Sequence, residues 1–274
     1  MAVRVVSLDT RASHLLETGA SWRLVARFER ALILGRDGDG ALISVVRHDV
    51  PDGPYTARLD PSAPRDLRVF DVAPLLDLRA AVRWTVEPVR PPDAVGPAEL
   101  ARRLEVLDLV AERADGPRGG WDAVIPKPDL EELESALAGG DAARATGAAG
   151  RIAGLGPGLT PSGDDLLAGA LATHAWAEAA GILEAREPLR LAITEEAAAR
   201  TTRLASQLIR AAAAGEVAAP PARILASVFA RVGTFPPDLA PLLAVGATSG
   251  ADMLAGIRLA GRALRSRERV GVPA

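Results

Sequence analysis

One run of residues in the middle of the chain constrains the fold more than any other feature. It reads Gly154-Leu-Gly-Pro-Gly-Leu-Thr-Pro-Ser-Gly-Asp-Asp-Leu-Leu-Ala-Gly169. Its closely spaced glycines release the backbone from the usual steric limits, and its two prolines stiffen the path between them. The apolar residues from Leu166 onward indicate that a helix follows. The sequence therefore predicts a tightly shaped loop that leads directly into a helix start.

The end of this run has a second copy later in the chain. Ser162-Gly-Asp-Asp-Leu-Leu-Ala-Gly169 is matched by Ser249-Gly-Ala-Asp-Met-Leu-Ala-Gly256, and hydroxyl residues accompany both copies. The first N–H groups of a helix have no partner within it, and the helix dipole adds about half a positive charge, so a helix start binds anions without Lys or Arg. We expect the two helix starts to converge on one small anionic ligand.

The two aspartates at the first helix start require an explanation. Asp164 and Asp165 would repel an anion unless they bind a cation, accept hydrogen bonds from the loop, or take a proton from the substrate. The alternative is that Ser162 is an ordinary N-cap followed by acidic first-turn residues, a device worth about 1 kcal/mol. The loop lacks the lysine of a Walker loop, and no strand precedes it as in a dinucleotide-binding fingerprint.

The predicted site follows from these two helix starts. Asp164 and Asp165 are the predicted catalytic residues. Thr201 and Arg203 are placed within an Ala-rich helix, from which they could reach the anion, with a solvated or packing role as the alternative. The predicted anion-binding residues are Gly156, Gly158, Thr160, Ser162, Gly163, Thr201, Arg203, Ser249 and Asp252.

The first third of the chain carries the signals of short strands. Ala31–Leu34 and Ala41–Val46 flank Asp37-Gly-Asp-Gly40 and predict a hairpin, because Asp-Gly steps supply the positive φ of a tight turn. Arg68–Val72 and Val82–Val86 are further predicted strands. Several short strands separated by turn residues favour a small β-barrel or sandwich.

After a proline-rich segment the periodicity becomes helical. Residues 87–97 contain four prolines, which block helix and central strand alike, and Leu100, Leu104 and Leu107 then recur at helical spacing. The predicted fold class is therefore α+β, with a β-rich N-terminal domain at 1–90, a linker at 91–97 and a mostly α-helical domain at 98–274. The Gly116-to-Gly120 segment before Trp121 is interpreted as a surface loop, with a lid as the alternative.

Composition excludes several classes of function. The chain has no cysteine, so it has no disulfides, thiolate zinc sites or cysteine nucleophiles, and its three histidines are too isolated to form a metal-ligand motif. Its 32 basic and 35 acidic side chains nearly cancel and are not clustered, which argues against nucleic acid as a partner. No signal peptide or membrane-spanning segment is recognisable, so we expect a cytoplasmic protein. No metal or other cofactor is expected; a divalent cation would suit the aspartates but is not indicated.

The run from Gly154 to Gly169 resembles the signature of the AllH family, which is linked to the oxamate carbamoyltransferase of allantoin breakdown. The resemblance extends to Thr201–Ser206 and to Ser249–Asp252. It implies a subunit of a multi-subunit enzyme that transfers a carbamoyl group between oxamate or oxalurate and phosphate in purine degradation. The implied partners are these small anions together with other enzyme subunits or further copies of the chain. Thr160, Ser162 and the loop amides would then hold the anion, and Asp164 or Asp165 would orient the amide nitrogen.

Two other functional classes remain open from the sequence. The chain could be a non-catalytic subunit that binds a small anion or serves as a scaffold, or it could act alone on a different carbamoyl or amide substrate. The presence of both aspartates and the loop hydroxyls favours chemistry, because scaffolding requires none of them.

Overall fold

The computed structural model describes residues 2–114, 119–184 and 187–270. The chain divides into two compact units, Met1–Val86 and Glu87–Ala274. All strands belong to the first unit and all long helices to the second, so the α+β prediction is confirmed. The predicted domain limits, with a linker at 91–97, stay a prediction.

The first unit is a single mixed sheet of seven strands with one short helix, α1 (Thr10–Leu16). The strands lie in the order β2-β3-β4-β5-β1-β6, and β7 also pairs with β1. Their core is apolar and includes Val5, Leu32, Ile43 and Leu59, which are inaccessible to solvent. The strands are β1 (Ala2–Asp9), β2 (Trp22–Arg27), β3 (Ala31–Arg36), β4 (Leu42–Val46), β5 (Thr56–Leu59), β6 (Leu75–Asp77) and β7 (Val82–Trp84).

This sheet is open, so it is neither the closed barrel nor the two-sheet sandwich of the sequence-based prediction. The reason lies in the last two strands, which are three residues long and pair in parallel with different stretches of β1. Strand β2 pairs with β3 alone, which leaves it as an edge. The strand patterns in the sequence do not reveal which strands pair with each other.

The local predictions in this unit succeed in one place and fail in another. Strands β3 and β4 form the predicted hairpin, with Leu34 opposite Ile43 and positive φ at Gly38 and Gly40. The predicted strand at Arg68–Val72 is wrong, because a 3-10 turn occupies Leu67–Val69. The Asp66 side chain accepts a hydrogen bond from the Arg68 amide and so favours a turn over a strand.

The second unit is built from helices. Leu100, Leu104 and Leu107 are buried on one face of the first of them, as their spacing predicts. None of the helices in the described ranges is both long and apolar enough to cross a bilayer. The helices are α2 (Pro97–Arg113), α3 (Trp121–Val124), α4 (Lys127–Gly139), α5 (Ala142–Ile152), α6 (Ser162–Ala179), α7 (Glu187–Ala198), α8 (Arg203–Ala213), α9 (Ala219–Phe229), α10 (Ala240–Leu243) and α11 (Ser249–Val270).

Helix α6 lies at the centre of this unit. Every residue from Ser162 to Ala177 is buried, as in a helix that is packed on all sides. Helix α11 packs directly against α6 through glycines. A Cβ atom on Gly169 would lie within 3.0 Å of the Met253 carbonyl oxygen, and a Cβ atom on Gly256 would lie within 3.0 Å of the Leu166 carbonyl oxygen. Gly169 and Gly256 are equivalent positions of the two sequence copies. The repeat is therefore a pair of helices in reciprocal backbone contact.

Candidate functional site

The loop from Gly154 to Pro161 leads from α5 into α6, and its glycines carry its shape. Gly154, Gly156 and Gly158 have φ values of 74°, 112° and 96°, a region that side chains rarely tolerate. Gly154 is also packed tightly, because a Cβ atom there would lie 2.6 Å from the Arg200 carbonyl oxygen. The predicted loop, shaped by glycines and followed by a helix, is confirmed.

Asp164 fastens this loop to the turn that precedes α8. Its carboxylate accepts the Gly154 amide at 2.9 Å and the Thr201 hydroxyl. The Thr202 hydroxyl donates to the Leu159 carbonyl at 2.5 Å. Both oxygens of Asp164 are therefore engaged within the protein, and its catalytic role stays a prediction.

The segment Arg200–Thr202 is not inside a helix, contrary to the sequence-based interpretation. Helix α7 ends at Ala198, and Thr202 caps α8 by accepting the Ala205 amide at 3.1 Å. A threonine followed by a helix is an ordinary N-cap pattern, so this signal was present in the sequence. Thr201 lies beside Asp164, whereas Arg203 is exposed on the first turn of α8. Contact of either residue with an anion stays a prediction.

Only some of the backbone amides at the start of α6 are left to bind an anion. Pro161 is the N-cap residue and Ser162 the first helical residue, so the alternative that Ser162 caps the helix is wrong. Gly163 donates its amide to the Leu155 carbonyl at 2.9 Å, and the next two amides donate to Pro161. Among residues 154–165, the amides that make no hydrogen bond are those of Gly156, Gly158, Leu159, Thr160 and Ser162.

The start of α11 is packed in the same way as the start of α6, and the two helix starts lie next to each other. A Cβ atom on Gly250 would collide with the Leu242 carbonyl of α10, as one on Gly163 would collide with the Ile152 carbonyl of α5. The Thr160 and Ser249 hydroxyls are 3.4 Å apart. The two helix starts therefore converge as the repeat predicts, and the bound anion stays a prediction.

A pair of aspartates lies one turn into these helices, at equivalent positions. Asp165 is 7% exposed and Asp252 is fully buried, and the Oδ2 atom of each has no hydrogen-bond partner. Burial raises the pKa of Asp165 well above its usual range. The Ser249 and Thr160 hydroxyls lower this pKa, while the charges of Asp252 and Asp164 raise it further. Burial also raises the pKa of Asp164, against the hydrogen bonds from Thr201 and Gly154.

We expect Asp165→Asn to stabilise the protein at neutral and alkaline pH. Because the folded-state pKa is raised, the wild-type carboxyl favours folding most below the ordinary aspartate pKa of about 3.9, and this benefit is lost as the pH rises through the folded-state pKa. The variant should therefore be more stable than the wild type at pH about 8 and about equally stable at pH about 4. Thermal unfolding at both pH values measures this difference. Asp37→Asn, at an exposed surface pair, should show no such gain, and an equal gain at both pH values would contradict the burial argument.

Gly119, Gly120 and Trp121 also contact residues of the site, whereas the sequence predicted only a surface loop or a lid here. The Trp121 amide donates to Asp252 Oδ1 at 3.0 Å. A Cβ atom on Gly119 would lie 2.6 Å from that oxygen, and one on Gly120 would lie 2.5 Å from Ser162 Oγ. Residues 116–118 of the predicted loop or lid lie outside the described residues. The Gly-Gly-Trp sequence was visible, but nothing in its spacing connects it to a helix start far along the chain.

The arrangement of acidic side chains at the site bears on whether a metal ion could bind. In the three described ranges, no group of three or more His, Cys, Asp or Glu residues is placed to hold a metal ion. Asp164 is engaged by the loop and Thr201, which leaves only Asp165 and Asp252 with unpaired oxygens at the site.

Comparison with known proteins bears on the part of the chain that forms this site. Residues 152–261 match the family model for the oxamate carbamoyltransferase subunit AllH. The match covers fewer than half of the 274 residues, but it includes the loop, Thr201 and both helix starts. Neither the curated proteins nor the solved structures contain a significant match. The resemblance predicted from the glycine-rich loop is thus confirmed: residues 152–261 are similar to the oxamate carbamoyltransferase subunit AllH.

Proposed function

We propose that this protein is a subunit of an oxamate carbamoyltransferase-like enzyme that works in the cytoplasm, in the catabolism of allantoin. The enzyme would transfer a carbamoyl group from oxalurate to phosphate and release oxamate. The name of the matched family supports a role as a subunit of such an enzyme, and it supports other subunits as partners.

The convergence of the two helix starts is the observation that carries this proposal. The Thr160 and Ser249 hydroxyls lie 3.4 Å apart, and the Ser162 hydroxyl and the unpaired loop amides belong to the same loop and helix start. Hydroxyls and amides at helix starts are donors suited to phosphate and carboxylate oxygens, and both substrates of the reaction are small anions. We assign anion binding to Gly156, Gly158, Thr160, Ser162 and Ser249, and we include Thr201 and Arg203 as nearby candidates.

The proposed reaction depends on hydrogen-bond donors more than on a strong base. A phosphate oxygen attacks the carbamoyl carbon of oxalurate, and the bond from that carbon to the oxamate nitrogen breaks. The leaving nitrogen takes up the proton of the attacking phosphate hydroxyl, so the products are carbamoyl phosphate and oxamate. Negative charge gathers on the carbamoyl oxygen during the attack, and preorganised N–H and O–H groups stabilise that charge.

The two neighbouring aspartates take different roles in this proposal. Asp165 has an unpaired buried oxygen and is the candidate for orienting the carbamoyl amide nitrogen. Asp164 acts as a positioning residue, because its carboxylate is engaged by Gly154 and Thr201.

A second candidate is a non-catalytic subunit that binds a small anion or serves as a scaffold. One observation favours it: the amides of Gly163, Asp164 and Asp165 bond to loop carbonyls, so the loop supports itself without a ligand. In that case the loop would hold or sense an anion while another subunit performs the transfer.

The proposal is tested by assaying phosphate-dependent carbamoyl phosphate formation from oxalurate, with the chain co-expressed with candidate partner subunits. We expect Ser162→Ala and Asp165→Asn each to lower kcat by about 100-fold, because each removes a polar contact to the reacting group. Ser135→Ala changes an exposed serine on α4 and should leave the rate unaltered. Unchanged rates in both site variants would favour the scaffold candidate.

A further inference from the structure

Two buried carboxyl oxygens at the site have no donor. They are Asp165 Oδ2 and Asp252 Oδ2, on side chains that are 7% and 0% exposed. Buried polar atoms are nearly always hydrogen-bonded, because an unpaired one loses its contact with water without replacement. Two unpaired acceptors at one site therefore indicate that a ligand supplies the donors.

The repeat brings these two acceptors toward the same space. Each aspartate lies three residues after the serine that begins its helix, and the two helix starts meet at Thr160 and Ser249. The hydroxyls of Thr160 and Ser249 lie beside the Asp165 carboxyl. The Trp121 amide holds Asp252 Oδ1, so the rotation of this carboxyl is fixed and Oδ2 is its free atom.

We propose that Asp165 and Asp252 together accept the two N–H groups of the carbamoyl –NH₂ and thereby select ureido and carbamoyl substrates. This inference rests on the proposed function, because oxalurate and carbamoyl phosphate share that group. A primary amide nitrogen carries two donors and accepts no hydrogen bond, so it matches a pair of acceptors. A substrate without the nitrogen would leave both oxygens unpaired, which is an effective way to reject it.

The number of available ligands favours a neutral donor over a metal cation. In the described residues no third His, Asp or Glu joins the pair in a metal-binding arrangement, and the remaining nearby carboxylate, Asp164, is engaged elsewhere. A divalent cation would have to draw its other ligands from hydroxyls and water. The amide –NH₂ requires only the two acceptors that are present.

The test compares two ligands that differ only at this nitrogen. Oxalurate and N-acetyloxamate, in which a methyl group replaces the –NH₂, are titrated calorimetrically with EDTA into the chain alone and into its complex with partner subunits. We expect the wild type to bind oxalurate about 10-fold or more tightly than N-acetyloxamate, since each unpaired buried acceptor weakens binding. Asp252→Asn should bring this ratio close to one, because the Trp121 amide keeps the Asn oxygen at the Oδ1 position and a donor NH₂ then replaces the accepting Oδ2. Asp165→Leu removes both acceptor oxygens and should have the same effect, and the surface variant Asp37→Asn should preserve the ratio.

The outcomes separate this inference from the proposed function. A ratio that stays high in both aspartate variants overturns the inference even if the complex forms carbamoyl phosphate. Binding that disappears with EDTA overturns it in favour of a cation, and the absence of binding to either ligand overturns it as well. A ratio that collapses in the variants supports the inference, even if no complex forms carbamoyl phosphate and the proposed reaction is lost. Asp165→Leu provides a folded variant if Asp252→Asn does not fold, because it removes a buried ionisable group.

Discussion

Replacing Gly256 with alanine is expected to lower the free energy of unfolding by about 3 kcal/mol or more, because the new methyl group has no space. It would lie within 3.0 Å of the Leu166 carbonyl oxygen, which is fixed in the backbone of the buried helix α6. The two helices would have to move apart along a contact that α6 and α11 share through Gly169 and Gly256. For a chain of this size each kcal/mol corresponds to roughly 2–4 °C in Tm.

Gly147→Ala is the matched control for this variant. Gly147 is an exposed glycine within α5, and a Cβ atom there would meet only the Arg151 side chain, at 3.6 Å. Alanine should stabilise this helix by roughly 0.5–1 kcal/mol, because glycine has the greater conformational entropy to lose. Urea unfolding of both variants shows whether the free energy of unfolding falls in Gly256→Ala and rises in Gly147→Ala. If Gly256→Ala unfolds like the wild type, the close contact between α6 and α11 is not what holds the helix starts together.

The sequence predicted those parts of the molecule that depend on neighbouring residues. The glycine-rich loop, the helix after it and the β3–β4 hairpin each follow from backbone preferences over a few positions. The repeat also predicted that the starts of α6 and α11 converge, because two copies of one motif pack in equivalent ways. Local rules and internal symmetry were sufficient for these features.

What the sequence could not predict depends on contacts between distant residues. The sheet stays open because β6 and β7 both pair with β1, and no strand signal encodes that choice. Trp121 reaches Asp252 across 131 positions of the chain. The hydrogen bonds of Asp164 with Gly154 and Thr201 are likewise known only from the fold.

The position of Asp164 has a consequence for both stability and function. Its carboxylate joins the first glycine of the loop to the turn before α8, and the Thr202-to-Leu159 hydrogen bond joins the same two segments. The loop amides and hydroxyls are thus held in place by residues that need not touch a ligand. Preorganised donors of this kind bind an anion without a further cost of ordering the loop.

Asp164→Ala is therefore expected to destabilise the protein by about 2–4 kcal/mol, since it leaves the Gly154 amide without its acceptor and removes hydrogen bonds to a charged group. The gain from removing a buried carboxylate offsets part of this loss. Asp164→Asn should cost much less, because its amide oxygen can still accept from Gly154 and its NH₂ group can donate to the Thr201 oxygen. Phosphate binding should weaken about 10-fold in the alanine variant, as expected when roughly 1.4 kcal/mol of preorganisation is lost.

A double-mutant cycle with Thr201→Val separates this contact from general damage to the fold. If Asp164 and Thr201 act through their shared hydrogen bond, the losses in free energy of unfolding of the two single variants should add up to more than the loss of the double variant. The expected difference is about 1–2 kcal/mol. Urea unfolding gives the four free energies, and phosphate titration of the same four proteins gives the binding counterpart. Additive losses would mean that the aspartate supports the loop without Thr201, and an Asp164→Asn variant as unstable as Asp164→Ala would show that the negative charge, rather than the hydrogen bonds, fastens the loop.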